Sequence, residues 1–362
     1  MIEMGPSKER IIAYDFARAL AIFGMIIVNY KLAMQTEHDA AAWLQSIAGM
    51  FEGRASALFV VLAGIGVTLM TSNTRKSMSK ELIHQCRNSL CRRAAFLFVA
   101  GPALLGIGWN ADILHYYAVF MLAAAVLVTA SDKTLLCLFA IVLVTSQVCL
   151  LVFDYSKGWE SSFKAYTDLW TPEGFARNLV FNGFHPVFPW LGFFLFGMWL
   201  GRKRWPDKAN RSKLLLISLF GLVFLEILSY LLSIWSSAVL DDEATRYFFG
   251  TKPMPPNMLY VLSGISSAVF AIAICSSIVE HYKDALLTRA VIHTGQLSLS
   301  HYIGHIVIGL GILETAGYLE NGKLSFSMAY GTVYFIIAIV FSYWWRKGMK
   351  RGPIESIMRK LC

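Results

Sequence analysis

Charged residues are scarce in this 362-residue sequence. Asp, Glu, Lys and Arg together make up 15% of it, whereas soluble domains carry about a quarter. Hydrophobic residues make up 56%, and they stand in long runs that a soluble fold would leave uncovered. This composition excludes an ordinary soluble protein. Soluble domains, low-complexity tracts and clear internal repeats are also lacking, so residues 1–362 are predicted to form a single integral membrane domain.

Cysteine is sparse as well. None of the six cysteines falls in a loop that we place outside the cytoplasm, so nothing indicates a disulfide framework. His301 and His305 have the spacing of a metal-binding pair on a helix, but no nearby glutamate completes a metalloprotease signature. Cysteine clusters are lacking too, and we therefore predict no metal site.

Acidic residues are fewer than basic ones, and the net charge is +9. A basic protein often binds nucleic acid, but the basic residues here stand in short clusters between apolar runs. That pattern is typical of the cytoplasmic loops of membrane proteins, which face anionic lipids. We therefore expect membrane lipids, and no nucleic acid, as partners.

The apolar runs predict an all-α, polytopic membrane bundle of about ten transmembrane helices. A bilayer core about 30 Å thick is crossed by about 20 helical residues. The predicted spans are residues 13–31, 55–72, 94–110, 112–130, 134–153, 185–201, 214–238, 257–280, 292–314 and 326–345.

The distribution of Lys and Arg predicts the orientation of the bundle. These residues are concentrated in alternate loops, chiefly 75–93, 202–213 and 346–360. The positive-inside rule places those loops in the cytoplasm, and an even number of spans places both termini there with them.

Polar side chains inside the first predicted helix are candidates for function, because an ionisable group in the bilayer costs several kcal/mol. Asp15 and Arg18 are i,i+3 neighbours and are expected to pair. Asn29 lies on nearly the same face as Arg18, roughly 16 Å further along the helix. These residues form one polar stripe that must face the bundle interior. A purely structural ion pair is the alternative interpretation for Asp15 and Arg18.

Three other predicted helices carry polar residues on one face. In the ninth helix we expect hydrogen bonds to neighbouring helices, and in the sixth the prolines could simply shape the helix start. The residues are Thr294, Ser298, His301 and His305 in the ninth helix, Asp112, His115 and Tyr116 in the fourth, and His185 and Trp190 in the sixth.

Two residues near the predicted outer surface complete the set. His38 follows Asn29 in the first outer loop, beside the mouth of the buried polar stripe, whereas a lone loop histidine is usually just solvated. Arg54 begins the second helix at its outer end, where the charge rule makes an arginine unexpected. It could bind an anion or pair with Glu52.

The motifs of this sequence resemble those of YeiB-like bacterial membrane proteins along essentially the whole chain. Each motif is weak alone, but together and in this order they are specific. The matching stretches are residues 10–29, 51–54, 58–59, 112–117, 188–202, 295–300 and 351–355. The chain departs from the family pattern at Ala19 (usually glycine), at Gln296 (usually arginine), and at His301 and His305 (usually amides).

The YeiB-like proteins are similar to the heparan-α-glucosaminide N-acetyltransferase family, within a wider group of transmembrane acyltransferases. The resemblance implies acetyl-CoA or another acyl-CoA as co-substrate, a glycan or small periplasmic acceptor, and a multi-pass protein of the bacterial inner membrane. The family's asparagine and histidine fall on Asn29 and His38, which are thereby implied as catalytic. We assign the CoA phosphates to basic residues at the inner mouth: the candidates are Arg18, Arg92, Arg93, Arg202 and Arg204.

A transporter or exporter, whose polar stripes would line a pathway without covalent chemistry, is the rival interpretation. Such proteins often consist of two related halves, and this sequence shows no such repeat. A membrane scaffold would leave the buried charges unexplained. The sequence does not identify the acceptor, the acyl chain length or whether the protein forms a homodimer.

Overall fold

The computed structural model describes residues 11–36, 40–203, 208–319 and 321–362. Within these ranges the regular structure is helical, apart from one isolated antiparallel bridge between Trp159 and Tyr166. Two π-helical turns, Asn178–Asn182 and His305–Leu310, interrupt the α-helices. The helices are α1 Ile12–Ala33, α2 Ala42–Gly49, α3 Arg54–Met70, α4 Ser72–Ser77, α5 Lys80–Gly106, α6 Leu114–Val126, α7 Asp132–Val152, α8 Pro172–Arg177, α9 Val187–Leu200, α10 Lys208–Ser236, α11 Asp242–Phe249, α12 Met258–Tyr282, α13 Leu286–Gln296, α14 Ser298–Gly304, α15 Gly311–Thr315, α16 Leu324–Gly348 and α17 Pro353–Leu361.

The described helices are those of a multi-pass membrane protein. Seven helical segments are long and apolar enough to cross a bilayer, one of them formed by α2 and α3 together, and two bent helix pairs raise the number to nine if each pair is one span. The predicted span 112–130 corresponds to α6, whose 13 residues are fewer than the 20 or so that a bilayer requires. The all-helical membrane fold is therefore confirmed, while the number ten and the cytoplasmic termini stay predictions.

The predicted ninth span, 292–314, is not one straight helix. The chain bends by 74° between α13 and α14. A new helix start has backbone N–H groups without partners inside the helix. Glu355 of α17 caps the start of α14, because its Oε1 accepts hydrogen bonds from the backbone N–H groups of Leu299 and Ser300 at 2.9 and 3.1 Å. The expectation of one continuous polar stripe from Thr294 to His305 was therefore wrong, since Thr294 lies on a differently directed axis.

Helix α1 lies in the middle of the bundle and packs against α3, α12, α13 and α16. Glycine permits the closest approaches between helices. A Cβ atom on Gly64 would overlap the carbonyl oxygen of Phe194 in α9, and one on Gly295 would overlap the carbonyl oxygen of Asp15. We call the two ends of the bundle the Arg18 end and the Asn29 end, after the residues of α1 that lie towards each.

A folded segment between α7 and α9 covers part of the Asn29 end. Asn182 organises it: its amide donates to the carbonyl oxygens of Tyr155 and Lys157, both at 2.8 Å, and accepts from the Tyr166 hydroxyl at 2.7 Å. Burial raises the pKa of the Tyr166 phenol, which therefore stays a neutral donor. Trp159 donates to the carbonyl oxygen of Asn182 at 2.6 Å. These bonds fix the chain just before His185.

Candidate active site

A cavity of about 270 Å³ lies at the Asn29 end, and Asn29, His185 and Trp190 line it. Lys31 and Glu52 add an ion pair of 2.5 Å to its wall. A second cavity, of about 510 Å³, shares Leu32, Gln35, Ala111 and Lys164 with the first, so the two adjoin. The structure thus brings three of the predicted site residues, from α1 and from the start of α9, to one space.

Asn29 is held by His305. The amide Nδ2 of Asn29 lies 2.9 Å from Nε2 of His305, and His305 is completely buried. The other ring nitrogen, Nδ1, lies 3.1 Å from the carbonyl oxygen of His301. A carbonyl only accepts, so Nδ1 carries the hydrogen and Nε2 of the neutral ring accepts from Asn29. One N–H of the Asn29 amide is therefore used by His305, and the second can donate to a group in the cavity.

The remaining bonds around His305 tie three helices together. The Tyr30 hydroxyl donates to the carbonyl oxygen of His305 at 3.1 Å. His301 reaches α16 through a 2.6 Å bond between its Nε2 and the Ser342 hydroxyl. The predicted interhelical hydrogen bonding of His301 and His305 is therefore confirmed.

A buried acid–imidazole pair lies near the start of α6. The Asp112 Oδ2 atom is 2.8 Å from Nδ1 of His115, and these residues are 0% and 1% exposed. The same oxygen accepts from the backbone N–H groups of Leu114 and His115 at 2.9 and 3.2 Å. Oδ1 accepts from the Tyr302 hydroxyl at 3.2 Å. Nε2 of His115 has no hydrogen-bond partner among the described residues.

Tyr116 connects this pair to His185. Its ring centroid lies 3.8 Å from that of His115 and 6.0 Å from that of His185, and its hydroxyl donates to Asn178 at 2.5 Å. His185 packs edge-on against Trp190 at 4.6 Å. Nδ1 of His185 and Nε1 of Trp190 are buried, and neither has a partner within the part of the chain that is described.

The Arg18 end holds the predicted ion pair. Arg18 Nη1 lies 2.7 Å from Oδ1 of Asp15, which confirms the pairing. Asp15 is 1% exposed, and Gln296 donates to its second oxygen at 3.3 Å. Gln296 thus joins α13 to this pair at the position where the family resemblance made an arginine usual.

Arg202 is fixed at the same end, after α9. Its Nη1 donates to the Ala130 carbonyl at 2.8 Å and to Asp132 at 2.9 Å. Its Nε and Nη2 atoms are buried without a hydrogen-bond partner in the described ranges, as is Nε of Arg93. Arg92 and Arg93 both interact electrostatically with Cys362 near the chain end. These guanidinium groups retain donors that a phosphate could accept.

Arg54 pairs with a residue other than the expected one. It forms an ion pair with Glu226 of α10 and donates to Ser263 of α12 at 2.6 Å. Glu52 instead contacts Lys31 at 2.5 Å and Lys252 at 2.8 Å. The expected Arg54–Glu52 pair is therefore wrong. Arg54 begins α3 and Glu52 precedes the left-handed Gly53, so the two side chains go to different partners.

Two predicted site residues, His38 and Arg204, lie outside the described residues. Lys31, Glu52 and Lys164 line the cavity, although no site role was predicted for them. Lys31 lies in the last turn of α1, and the loops that hold Glu52 and Lys164 bring those two residues to the same space. Among the described residues, His, Cys, Asp and Glu form no group of three or more that could hold a metal ion.

The fold and this arrangement define a class: a multi-pass helical membrane protein with a buried amide and imidazole centre at one end and guanidinium groups at the other. Residues 10–229 match the catalytic family of heparan-α-glucosaminide N-acetyltransferase. That match covers more than half of the chain, so the protein belongs to this family. Residues 200–362 match a family described as protein of unknown function (DUF418). The predicted YeiB-like and acetyltransferase resemblance is confirmed. No curated protein matches the chain.

Proposed function

We propose that the protein transfers an acyl group, most simply acetyl, from cytoplasmic acyl-CoA to an amine or hydroxyl acceptor on the periplasmic side of the bacterial inner membrane. Membership of a membrane acetyltransferase family supports the reaction type. The observation that carries the proposal is the cavity lined by Asn29, whose amide is oriented by His305.

The geometry of Asn29 suits stabilisation of a tetrahedral intermediate. As the acceptor attacks the thioester carbonyl, negative charge develops on the carbonyl oxygen. A fixed N–H donor in a dry site stabilises that charge by about 3 kcal/mol in comparable enzymes. The neutral form of His305 accepts one N–H of Asn29, which holds the amide plane and leaves the second N–H for the oxyanion. His38, for which the family resemblance implies catalysis, is the proposed general base.

The Arg18 end supports the placement of the donor. CoA carries several phosphate charges and cannot enter hydrocarbon. Arg202 keeps two buried donor nitrogens without a hydrogen-bond partner among the described residues, while Asp132 and the Ala130 carbonyl hold its third nitrogen. Arg18, Arg92, Arg93 and Arg204 are the further candidates for this end. The acyl group would then pass from the Arg18 end to Asn29 within one integral membrane unit.

The test is release of free CoA thiol by purified protein supplied with acetyl-CoA and glucosamine. We expect Asn29→Ala to lower kcat by about 100-fold, since one oxyanion donor is lost. Asn88→Ala is the matched control, because Asn88 is exposed on α5 and its side chain hydrogen-bonds to the equally exposed His84 of the same helix.

Binding of the donor gives a second readout. Acetyl-CoA at 100 times its Kd should stabilise the folded protein by about 2.7 kcal/mol and raise its unfolding temperature. Full activity of Asn29→Ala would overturn the mechanism. A protein that neither releases CoA nor is stabilised by acetyl-CoA would contradict the function and favour the transport alternative.

A further inference from the structure

We propose that His185 and the Asp112–His115 pair form a buried proton relay, which takes the proton of the acceptor during acyl transfer. This inference rests on the proposed function and adds to it a second proton acceptor, from elements other than α1 and its following loop. In this scheme His185 is the catalytic residue, and Asp112 and His115 act through it.

The first argument comes from the position of His185. It lines the same cavity as Asn29, so a group that enters this space can reach both residues. Its Nδ1 atom is buried without a hydrogen-bond partner in the described chain. An unsatisfied buried nitrogen costs about 1–3 kcal/mol, and the fold retains it.

The second argument separates His115 from the helix cap. Asp112 alone satisfies the start of α6, because its carboxylate accepts from two backbone N–H groups and from the Tyr302 hydroxyl. An apolar side chain at position 115 would leave that cap intact. The imidazole instead places a second orphan nitrogen, Nε2, in the interior. Capping of α6 therefore does not explain why position 115 is a histidine.

The third argument is the orientation of the pair. A carboxylate only accepts, so Nδ1 of His115 donates to Asp112, and Nε2 is the basic nitrogen. This arrangement stabilises an imidazolium once a proton arrives, as in other carboxylate–histidine pairs. Gly101 preserves the space, because a Cβ atom there would lie 2.6 Å from Asp112 Oδ2 and 2.8 Å from the Cβ of His115.

Tyr116 makes the two histidines neighbours. Its ring packs against both imidazoles. The titratable groups that the contacts place around His115 are Asp112, Tyr116, His185 and, through Asp112, Tyr302; Phe175 adds an apolar ring with its centroid 5.9 Å away. The relay therefore consists of two imidazoles and the carboxyl group of Asp112.

The proposed step balances as follows. The nitrogen or oxygen of the acceptor forms a bond to the thioester carbon, and the carbon–sulfur bond breaks. When the acceptor is an amine, it arrives as an ammonium group whose first proton goes to His38 and then to water, and the proton lost on attack passes to His185 and on to His115. CoA leaves as a thiolate, which takes a proton from water on its own side, and the imidazolium later returns its proton to water in the cavity.

The experiment measures CoA release from acetyl-CoA with glucosamine as acceptor, over a range of pH, for wild type, Asp112→Asn, His115→Phe and His185→Ala. We expect kcat to fall by about 100-fold or more in each variant, with KM for acetyl-CoA unchanged, as for loss of general base catalysis. The pH profile of kcat should change in Asp112→Asn, because the imidazole of His115 loses the carboxyl group to which it donates. Added imidazole should partly restore His185→Ala and should not restore Asn29→Ala.

Stability separates a relay from a structural role. His115→Phe keeps the cap and removes the orphan nitrogen, so its unfolding temperature should equal or exceed that of wild type. His281→Phe is the matched control, since His281 is exposed on α12. If His115→Phe is inactive only because it unfolds, or if its activity and pH profile match wild type, the relay is wrong. If His115→Phe behaves like wild type but Asn29→Ala is inactive, the relay is wrong and the acyl transfer proposal still holds. A wild-type protein that releases no CoA would refute both the relay and the proposed function.

Discussion

The contact between Asn29 and His305 gives the sharpest quantitative prediction. If His305 serves catalysis only by orienting Asn29, then its effect must vanish once the amide is gone. The perturbation is therefore a double-mutant cycle of Asn29→Ala, His305→Ala and the combination, which isolates the coupling between two residues in contact.

The magnitudes follow from the bonds. Asn29→Ala removes an oxyanion donor, about 3 kcal/mol or roughly 100-fold in kcat. His305→Ala removes one buried hydrogen bond that orients the amide, about 1 to 1.5 kcal/mol or roughly tenfold. The double variant should equal Asn29→Ala alone. Independent effects would instead multiply to about 1,000-fold.

The assay is kcat for CoA release at saturating acetyl-CoA, measured well below the unfolding temperature of each variant. That precaution is necessary because His305 is completely buried, and truncating a buried side chain of this size costs about 2–5 kcal/mol of stability. His293→Ala is the control, because His293 is a half-buried histidine of α13 that lies outside the site. Multiplicative losses, or a His305→Ala enzyme within twofold of wild type, would refute the positioning role.

Two other predictions follow from the structure. Arg202→Ala should raise KM for acetyl-CoA by about tenfold with kcat unchanged, since a charge-assisted phosphate contact is lost; a fall in kcat alone would contradict this. Gly64→Ala should lower the free energy of unfolding by about 1–3 kcal/mol, because the new methyl group overlaps the Phe194 carbonyl. Gly311→Ala, where a Cβ atom meets nothing within 4 Å, should instead be neutral or stabilising by up to about 1 kcal/mol. Thermal unfolding in detergent measures both glycine variants, and equal effects would contradict the packing argument.

The sequence predicts contacts within one helix well and contacts between loops poorly. Asp15 and Arg18 pair as expected because helical geometry alone makes them neighbours. Asp112 and His115 are also three residues apart, but Asp112 precedes α6 and meets His115 as the cap of that helix. Arg54 shows the limit: its partner Glu226 lies far away in sequence, and only the packing of α12 against both α3 and α10 selects it.

Breaks in helices were also hard to predict. Pro186 and Pro189 indicate the irregular start of α9, but residues 286–300, which contain the 74° bend after Gln296, include no proline. After that bend, the start of α14 is capped by Glu355, which lies 56 residues beyond Leu299 in the sequence. Hydropathy averages over such a bend, because both halves are apolar, and it therefore predicted one continuous span.

The two bent helix pairs provide an argument for the site that is independent of any motif. Irregular backbone at membrane depth is tolerated only where it is buried in protein or lines a cavity, and π-helical turns are frequent at functional sites. One π-turn, Asn178–Asn182, ends just before His185, and the other begins at His305. The first break, which holds His185, and the second π-turn, which begins at His305, thus each place a histidine at the Asn29 end, where one lines the cavity and the other bonds to Asn29. The family match that carries the acetyltransferase description ends at residue 229 and contains only the first break. The candidate site therefore requires both matched halves of the chain, and a fragment that stops at 229 would lack the residue that orients its Asn29.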